Sequence, residues 1–378
     1  MTDYKIISAD SHMTEPMDLW ESSLDKKYRD RAPKIVFDYN SGSRPALMFV
    51  VEGAASMPAA GGFAAGRSGE ELAKFMAQGN YKEARPSGWD PAERLKDQNL
   101  DGINGEILYP TLGMQLFQMP DGELQRACFK VYNNWLSNYC SYAPDRLFGI
   151  GLISLENIEL AVKDITEISK QGMYGAMIWS SPPKDRNYGD PIYDPFWGAA
   201  SELQLPITLH PITGRGAKAV GVSEFGNHKF NHGVLSSTAF HEVQETLANL
   251  IFEGVLDKFP QLKIVSAEAD VGWFPHLLHR MDHFHEKLSN MLPKKLLLKP
   301  SEYARRQIWA TFQDDPVGPA THHFFGENNY MWASDFPHSD STFPESVSWI
   351  EKNFKDIPNN IKYKIVCKNV SNLYNIVI

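Results

Sequence analysis

A (β/α)8 TIM barrel with inserted loops or a small cap at its catalytic mouth is the fold this sequence predicts, on three observations. Eight short apolar runs recur along the chain, most of them are separated by segments of helical periodicity, and several end in a residue able to bind a metal ion. Alternation of strand and helix on this scale predicts a parallel sheet with crossover helices, and eight repeats predict closure into a barrel rather than an open sheet.

The first run, YKIISAD (4–10), ends on Asp10, with His12 two residues further on. Residues 20–100 then hold far more than one crossover helix, and the segment 41–69, crowded with glycine and small residues, reads as an inserted loop or small cap. GEILYP (105–110) and LFGIGLISL (147–155) are the next strands, with the amphipathic stretch LQRACFKVYNNWLSNYC (124–140) between them. IELAVKDITEISKQG (158–172) leads to YGAMIWS (174–180), and PITLH (206–210) ends on His210. The stretch 211–240, rich in Gly, Asn and Ser, is a second insertion. A helix over 242–260 precedes LKIVSAE (262–268), which ends on Glu268, and a further helix covers 274–291. QIWATF (307–312) and NYMWASD (329–335) complete the set, the last ending on Asp335, and the chain after about residue 343 supplies terminal helices that pack on the barrel. The whole of 1–378 reads as one metal-dependent barrel domain. Insertions after barrel strands land at the mouth, so 20–100 and 211–240 are candidate substrate-recognition elements.

Composition narrows the class. The chain has 378 residues, 43% of them hydrophobic, enough to bury one large barrel. Its net charge of −9, with acidic and basic residues interspersed, leaves no basic face for a phosphate backbone, so nucleic acid is not an expected partner. No apolar run reaches the roughly 20 residues of a membrane span, and the N-terminus MTDYKIISAD lacks the pattern of a signal peptide. The expectation is a cytosolic protein with no membrane partner. Three scattered cysteines, Cys128, Cys140 and Cys367, suit reduced, buried thiols.

In a parallel barrel the C-terminal strand ends converge on one mouth, so Asp10, His12, His210, Glu268 and Asp335 are expected to meet there. Asp10 and His12 are two apart, and side chains two apart on a strand face the same way. A mixed set of imidazole and carboxylate ligands suits a single zinc, manganese or iron ion and is nitrogen-rich for calcium or magnesium. Each residue taken singly has an ordinary structural explanation, as a turn residue or a core histidine. Their joint occurrence at strand ends is the argument.

The chain resembles the amidohydrolase-related group that includes the aminocarboxymuconate semialdehyde decarboxylase-like enzymes. The residues carrying the resemblance are ISADSHMTEP with DLW close behind, LHP at 209–211, GVLDKFPQLKIVSAEADVGWFP at 254–275 and WASDFPHSDSTFP at 332–344. The resemblance implies the same barrel, one divalent metal, a small-molecule substrate, and hydrolysis or nonoxidative decarboxylation; homodimers are common in the group. It carries His12, His210 and Asp335 over as metal ligands, with Asp10 a carboxylate substitute in an H-x-H or E-x-H pair. After the sixth strand the decarboxylase branch has a histidine, in a stretch resembling SHGGG, where this chain has Glu268.

A carboxylate there favours water activation, so the expected activity is hydrolysis. Metal-bound water, with zinc the first choice and manganese or iron next, attacks an amide, ester, lactone or thioester carbonyl while Asp335 or Glu268 takes the proton. His241 and His338 are candidates to orient substrate or assist the leaving group, and Trp179, Arg215 and Trp273 to contact it. Two alternatives stand beside this reading: nonoxidative decarboxylation of an aromatic or muconate-type acid, and a non-catalytic binding protein on a retired barrel. Histidines 276, 279, 283 and 285 crowd one helix, where a solvated or half-buried outer face accounts for them.

Overall fold

The computed structural model describes residues 4–38, 46–54, 56–215, 232–292 and 294–377. Along the chain, β1 (Ile7–His12) is followed by an insertion holding α1 (Leu19–Ser23), β2 (Lys34–Asp38), β3 (Ala46–Val50), β4 (Met57–Pro58), α2 (Gly69–Gln78) and α3 (Pro91–Asp101). Then come β5 (Gly105–Tyr109), α4 (Gly122–Cys140), β6 (Leu147–Leu152), α5 (Ile158–Lys170), β7 (Gly175–Ile178), α6 (Asp194–Leu203) and β8 (Ile207–Leu209). The second half adds α7 (His232–Thr238), α8 (His241–Phe252), α9 (Val255–Lys258), β9 (Ile264–Ser266), α10 (Phe274–Leu288), α11 (Pro300–Gln307), β10 (Ile308–Phe312), α12 (Val317–Ala320) and β11 (Tyr330–Trp332). Three terminal helices, α13 (Ser346–Asn353), α14 (Asn359–Tyr363) and α15 (Asn369–Tyr374), end it.

Eight strands form one parallel sheet in the order β1-β5-β6-β7-β8-β9-β10-β11, and each lies in its predicted apolar run except β1, which runs two residues past Asp10 to His12. The all-apolar character of these runs follows from burial on both faces: β6, β7, β8 and β9 are buried at every position. The crossover helices start where side chains accept the free N–H groups of the first turn. Asp90 serves Ala92 and Glu93, Asp121 serves Glu123 and Leu124, and Asn157 serves Leu160.

The seam between the first and eighth barrel strands is closed at the mouth. Asp335 N–H donates to Asp10 C=O at 3.0 Å and His12 N–H to Phe336 C=O at 2.6 Å. Behind them Ser334 N–H donates to Ser8 Oγ at 2.9 Å, and the hydroxyls of Ser8, Ser11 and Ser334 join one another.

One expectation is corrected in detail. The helix expected over 242–260 is broken into α8 and α9 by Gly254, which sits at φ 72°, a left-handed conformation glycine adopts without cost. The first insertion is a folded cap, in which β2, β3 and β4 pair antiparallel. It docks on the mouth through Ala65 N–H to Pro337 C=O at 3.0 Å and Ser339 N–H to Gly61 C=O at 3.2 Å. A Cβ on Gly62 would lie 2.2 Å from Thr111 Cγ2, so that approach requires glycine. Most of the second insertion, including Lys218, Phe225, His228 and Phe230, lies outside the described residues. Among the described residues no helix is long and apolar enough to cross a membrane.

Candidate active site at the barrel mouth

The structure brings Asp10, His12, His210, Glu268, Asp335 and His338 together. Asp10 and His12 are buried side by side at the end of β1. His12 Nδ1 lies 2.7 Å from Pro110 C=O, so that nitrogen donates and Nε2 is turned to the mouth. Around Nε2 stand Glu268 Oε2 at 3.1 Å and Asp10 Oδ1 and Asp335 Oδ1, each at 3.4 Å. His210, just beyond β8, is buried, and its Nε2 lies 3.1 Å from the same Glu268 oxygen. His338 stacks on His12 with ring centroids 3.9 Å apart; its Nδ1 lies 3.0 Å from Asp335 Oδ1 and its Nε2 2.9 Å from Thr111 Oγ1.

Backbone strain collects at the same place. Glu268 (φ 44°), Asp270 (φ 51°), Asp335 (φ 57°) and Ile212 (φ 64°) are all left-handed, a conformation that costs a non-glycine residue on the order of 1–3 kcal/mol and persists where the surroundings impose it.

The electrostatics favour positive charge at the centre of the cluster. Burial alone would lower the pKa of His12, but hydrogen bonds to Asp10 and Glu268 raise it well above the imidazole range. Glu268 would be raised by burial, yet His210 and His12 hold it well below the ordinary carboxylate range. Asp335 is driven well above that range by burial and then by the charge of Glu268. His338 is pushed down to about 3, by burial first and then by His12.

A divalent ion fits this cluster. Asp10 Oδ1, His210 Nε2 and Asp335 Oδ1 are buried and make no aligned hydrogen bond, although His12 Nε2, Glu268 Oε2 and His338 Nδ1 in turn stand within 3.0–3.4 Å of them. Atoms that converge on one point without pairing are what ligands around an ion look like, and a buried polar atom otherwise costs free energy. The donor atoms of Asp10, His12 and His210 lie within 4.8 Å of one another, as do those of His12, Glu268, Asp335 and His338. Two imidazoles and two or three carboxylates form a donor set suited to manganese, iron or zinc.

Other sequence candidates lie differently. His241 opens α8, exposed, with its ring against Phe240, and the structure does not bring it into the cluster. Trp179 is buried, its indole N–H given to Phe117 C=O at 3.3 Å. Arg215 pairs with Glu156 at 2.9 Å and donates to Met119 C=O at 3.0 Å, so the protein itself occupies the guanidinium expected to receive an anion. Trp273 is half-buried after β9, stacked on Phe274 at 4.0 Å and parallel to Phe240 at 6.5 Å.

Several polar residues that support the cluster escaped the sequence reading. Thr311 Oγ1 donates to Asp10 Oδ2 at 3.0 Å and accepts from Glu268 N–H at 2.8 Å. Arg94, fully buried, pairs with Glu106 through two contacts and donates to the carbonyls of His12 and Phe336. Glu15 accepts the backbone N–H groups of Thr111, Leu112 and Gly113. Glu106, a charge inside the apolar run GEILYP, was the one visible signal of these.

Residues 73–376 match the family described as Amidohydrolase. The chain belongs to that family. This amidohydrolase is 22% identical over 272 residues to the 2-amino-3-carboxymuconate-6-semialdehyde decarboxylase of Dictyostelium discoideum, covering 70% of this chain and 72% of the relative. It is 25% identical over 226 residues to the gamma-resorcylate decarboxylase of Rhizobium sp. (strain MTP-10005), covering 57% of this chain and 66% of the relative. Among solved structures, an amidohydrolase of Mycobacterium avium subsp. paratuberculosis superposes with a TM-score of 0.79 at 20% identity over 100% of both chains. The 5-carboxyvanillate decarboxylase of Sphingomonas paucimobilis gives 0.62 at 25% identity, over 75% of this chain and 83% of that one. The chain is therefore an enzyme of the amidohydrolase superfamily.

The hydrolytic expectation is overturned by these relatives, which are decarboxylases of muconate-type and aromatic acids. Glu268 misled the sequence reading. Its Oε2 sits 3.1 Å from both His12 Nε2 and His210 Nε2, inside the cluster.

Proposed function

We propose that this amidohydrolase is a nonoxidative decarboxylase of a small aromatic or muconate-type acid, working with one divalent metal ion. The observation that carries the reading is a cation-seeking cluster at the barrel mouth of a chain whose curated relatives are decarboxylases. Asp10, His12, His210 and Asp335 are the residues that hold the ion. Manganese is the first metal to try, ahead of zinc: the donor set admits it, and two neighbours of the same fold, a 5-carboxyvanillate decarboxylase of Novosphingobium aromaticivorans and a dihydroxybenzoic acid decarboxylase of Polaromonas, carry it. When bound, the ion supplies a fixed positive charge that anchors and orients the substrate carboxylate.

In the reaction the bond from ring carbon to carboxylate breaks, its electron pair stays on the carbon, the carbon takes a proton and CO2 leaves. No oxidant is consumed. The chain must therefore present a proton beside that carbon. Asp335 and His338 are the pair placed to pass one: His338 Nδ1 lies 3.0 Å from Asp335 Oδ1, with Thr111 beyond it. Glu268, whose Oε2 lies 3.1 Å from both His12 Nε2 and His210 Nε2, stands among the atoms that face the ion. Trp273 and Phe240 offer aromatic faces for the body of the substrate.

The test is product analysis in D2O with manganese-loaded protein, offered 2,6-dihydroxybenzoate, 5-carboxyvanillate and 2-amino-3-carboxymuconate semialdehyde. The expected result is CO2 and a product bearing one deuterium at the vacated carbon. Fully loaded protein that releases no CO2 from a broad panel of hydroxybenzoates and muconate-type acids overturns the reading.

A further inference from the structure

The five residues that follow β8 make a turn their own sequence resists. Ile212 lies at φ 64°, where a β-branched side chain crowds its own backbone. It stays there because the turn is held from three sides. Glu242, on the first turn of α8, accepts the Ile212 N–H at 2.9 Å and the Ser180 hydroxyl at 2.6 Å through Oε1, and the Ser181 hydroxyl at 3.4 Å through Oε2. Gln118 Nε2 donates to the carbonyls of Ile212 at 3.2 Å and Gly214 at 3.0 Å. The Thr213 hydroxyl donates to His210 C=O at 2.7 Å. A Cβ on Gly214 would lie 2.6 Å from Glu242 Oε2, so the backbone is drawn tight against this carboxylate.

His210 is the first residue of that turn, and among the described residues its Nδ1 has its hydrogen-bond partner in Pro211 C=O at 3.2 Å, within the turn itself. The turn therefore fixes the Nδ1 edge of the ring, while Nε2 faces Glu268. We infer that Glu242 is a positioning residue for the metal centre: by holding Ile212 left-handed it keeps His210 Nε2 aimed into the ligand cluster. The inference rests on the reading of His210 as a ligand. Without the carboxylate, the Ile212 N–H loses its acceptor, the turn relaxes toward an ordinary conformation, and the imidazole swings with it.

The experiment is competition for Mn2+ between the protein and a fluorescent chelator, giving a metal dissociation constant for each variant. Glu242→Ala is expected to raise that constant by about 10- to 100-fold, as loss of a residue that orients a ligand does. Glu242→Gln, which keeps Oε1 as an acceptor, stays close to wild type. Ile212→Gly, for which the left-handed turn carries no penalty, restores most of the affinity when combined with Glu242→Ala. A general structural role for Glu242 predicts no such rescue. Should Glu242→Ala not fold, Glu242→Asp, one methylene short of the Ile212 N–H, takes its place with the same expectation. Unchanged affinity in the Glu242 variants, or failure of the glycine to rescue, overturns the inference while His210→Ala still loses metal. If His210→Ala keeps its metal, the ligand reading falls and the inference falls with it.

Discussion

The hydroxyl of Thr311 serves two carboxylate residues at once, donating to Asp10 Oδ2 and accepting the Glu268 N–H. Asp10 Oδ1 is thereby left as the free oxygen, and Glu268 is fixed in its left-handed conformation above it. Thr311→Val keeps the shape and removes both bonds. The expected outcome is metal binding weaker by about tenfold in chelator competition, and a loss on the order of 1–3 kcal/mol in denaturant unfolding from the orphaned N–H. The ligands themselves give a sharper contrast: His210→Ala and Asp335→Ala should each lower bound metal, measured by plasma mass spectrometry, in a protein whose circular dichroism is unchanged. Loss of activity with full metal content would reassign the ligand. Asp10, His12, His210, Glu268 and Asp335 were legible because a parallel barrel carries strand ends to one mouth, so chain position predicts convergence. Thr311, Thr111, Glu242 and Arg94 were not, because a hydroxyl or a charge inside an apolar or amphipathic run shows no partner until the fold supplies one. Glu268 was legible as present, and its role was open between ligand and base, since a carboxylate at a strand end can stand beside a metal site or inside it.

At the scale of elements, α3 is the brace of the seam. Arg94 is buried with Glu106 and reaches the carbonyls of His12 and Phe336, one on each side of the junction between β1 and β11. Arg94→Ala leaves Glu106 buried without its partner and should cost roughly 3–5 kcal/mol in unfolding free energy. Arg94→Lys, which keeps the charge and loses the planar fork, should recover only part of it. The C-terminal end of α3 offers a pH test. Asp101 accepts the N–H and hydroxyl of Ser346, and burial raises its carboxyl from the ordinary 3.8 to about 7. The folded state thus binds this proton more tightly than the unfolded chain does. The contribution of the group is complete below the unfolded value, falls as pH rises through the window from about 4 to about 7, and is gone above it. Urea unfolding from pH 4 to pH 8 should show that decline, on the order of a few kcal/mol, in wild type, and Asp101→Asn should flatten it. A variant that declines as steeply as wild type would place the titrating group elsewhere. The barrel strands and crossover helices were readable from apolar runs and helical periodicity. The sheet of the cap was not, since β3 pairs with β2 and β4 across a stretch whose glycines and alanines carry no alternation.

For the molecule as a whole, the centre gathers three carboxylates, Asp10, Glu268 and Asp335, around two buried imidazoles and a third, His338, that burial keeps uncharged near neutral pH. Like charges face one another in this poorly solvated mouth, and the resistance shows in Asp335, whose carboxyl burial and Glu268 push well above the ordinary carboxylate range. An ion that binds the folded protein and not the unfolded chain adds RT ln(1 + [L]/Kd) to stability, about 2.7 kcal/mol at a hundredfold excess over Kd. The site also spans the seam, with Asp10 and His12 on β1 and Asp335 after β11, so an ion held there would join the two edges of the sheet as well as neutralise charge. Protein stripped with a chelator should therefore melt several degrees below the reloaded form in differential scanning calorimetry, and the deficit should vanish in His210→Ala. Recovery with Mn2+ at lower concentration than with Zn2+ supports the choice of metal, and the reverse order would rewrite it. A melting temperature indifferent to every divalent ion would remove the ion from the centre and, with it, the means of anchoring a carboxylate there.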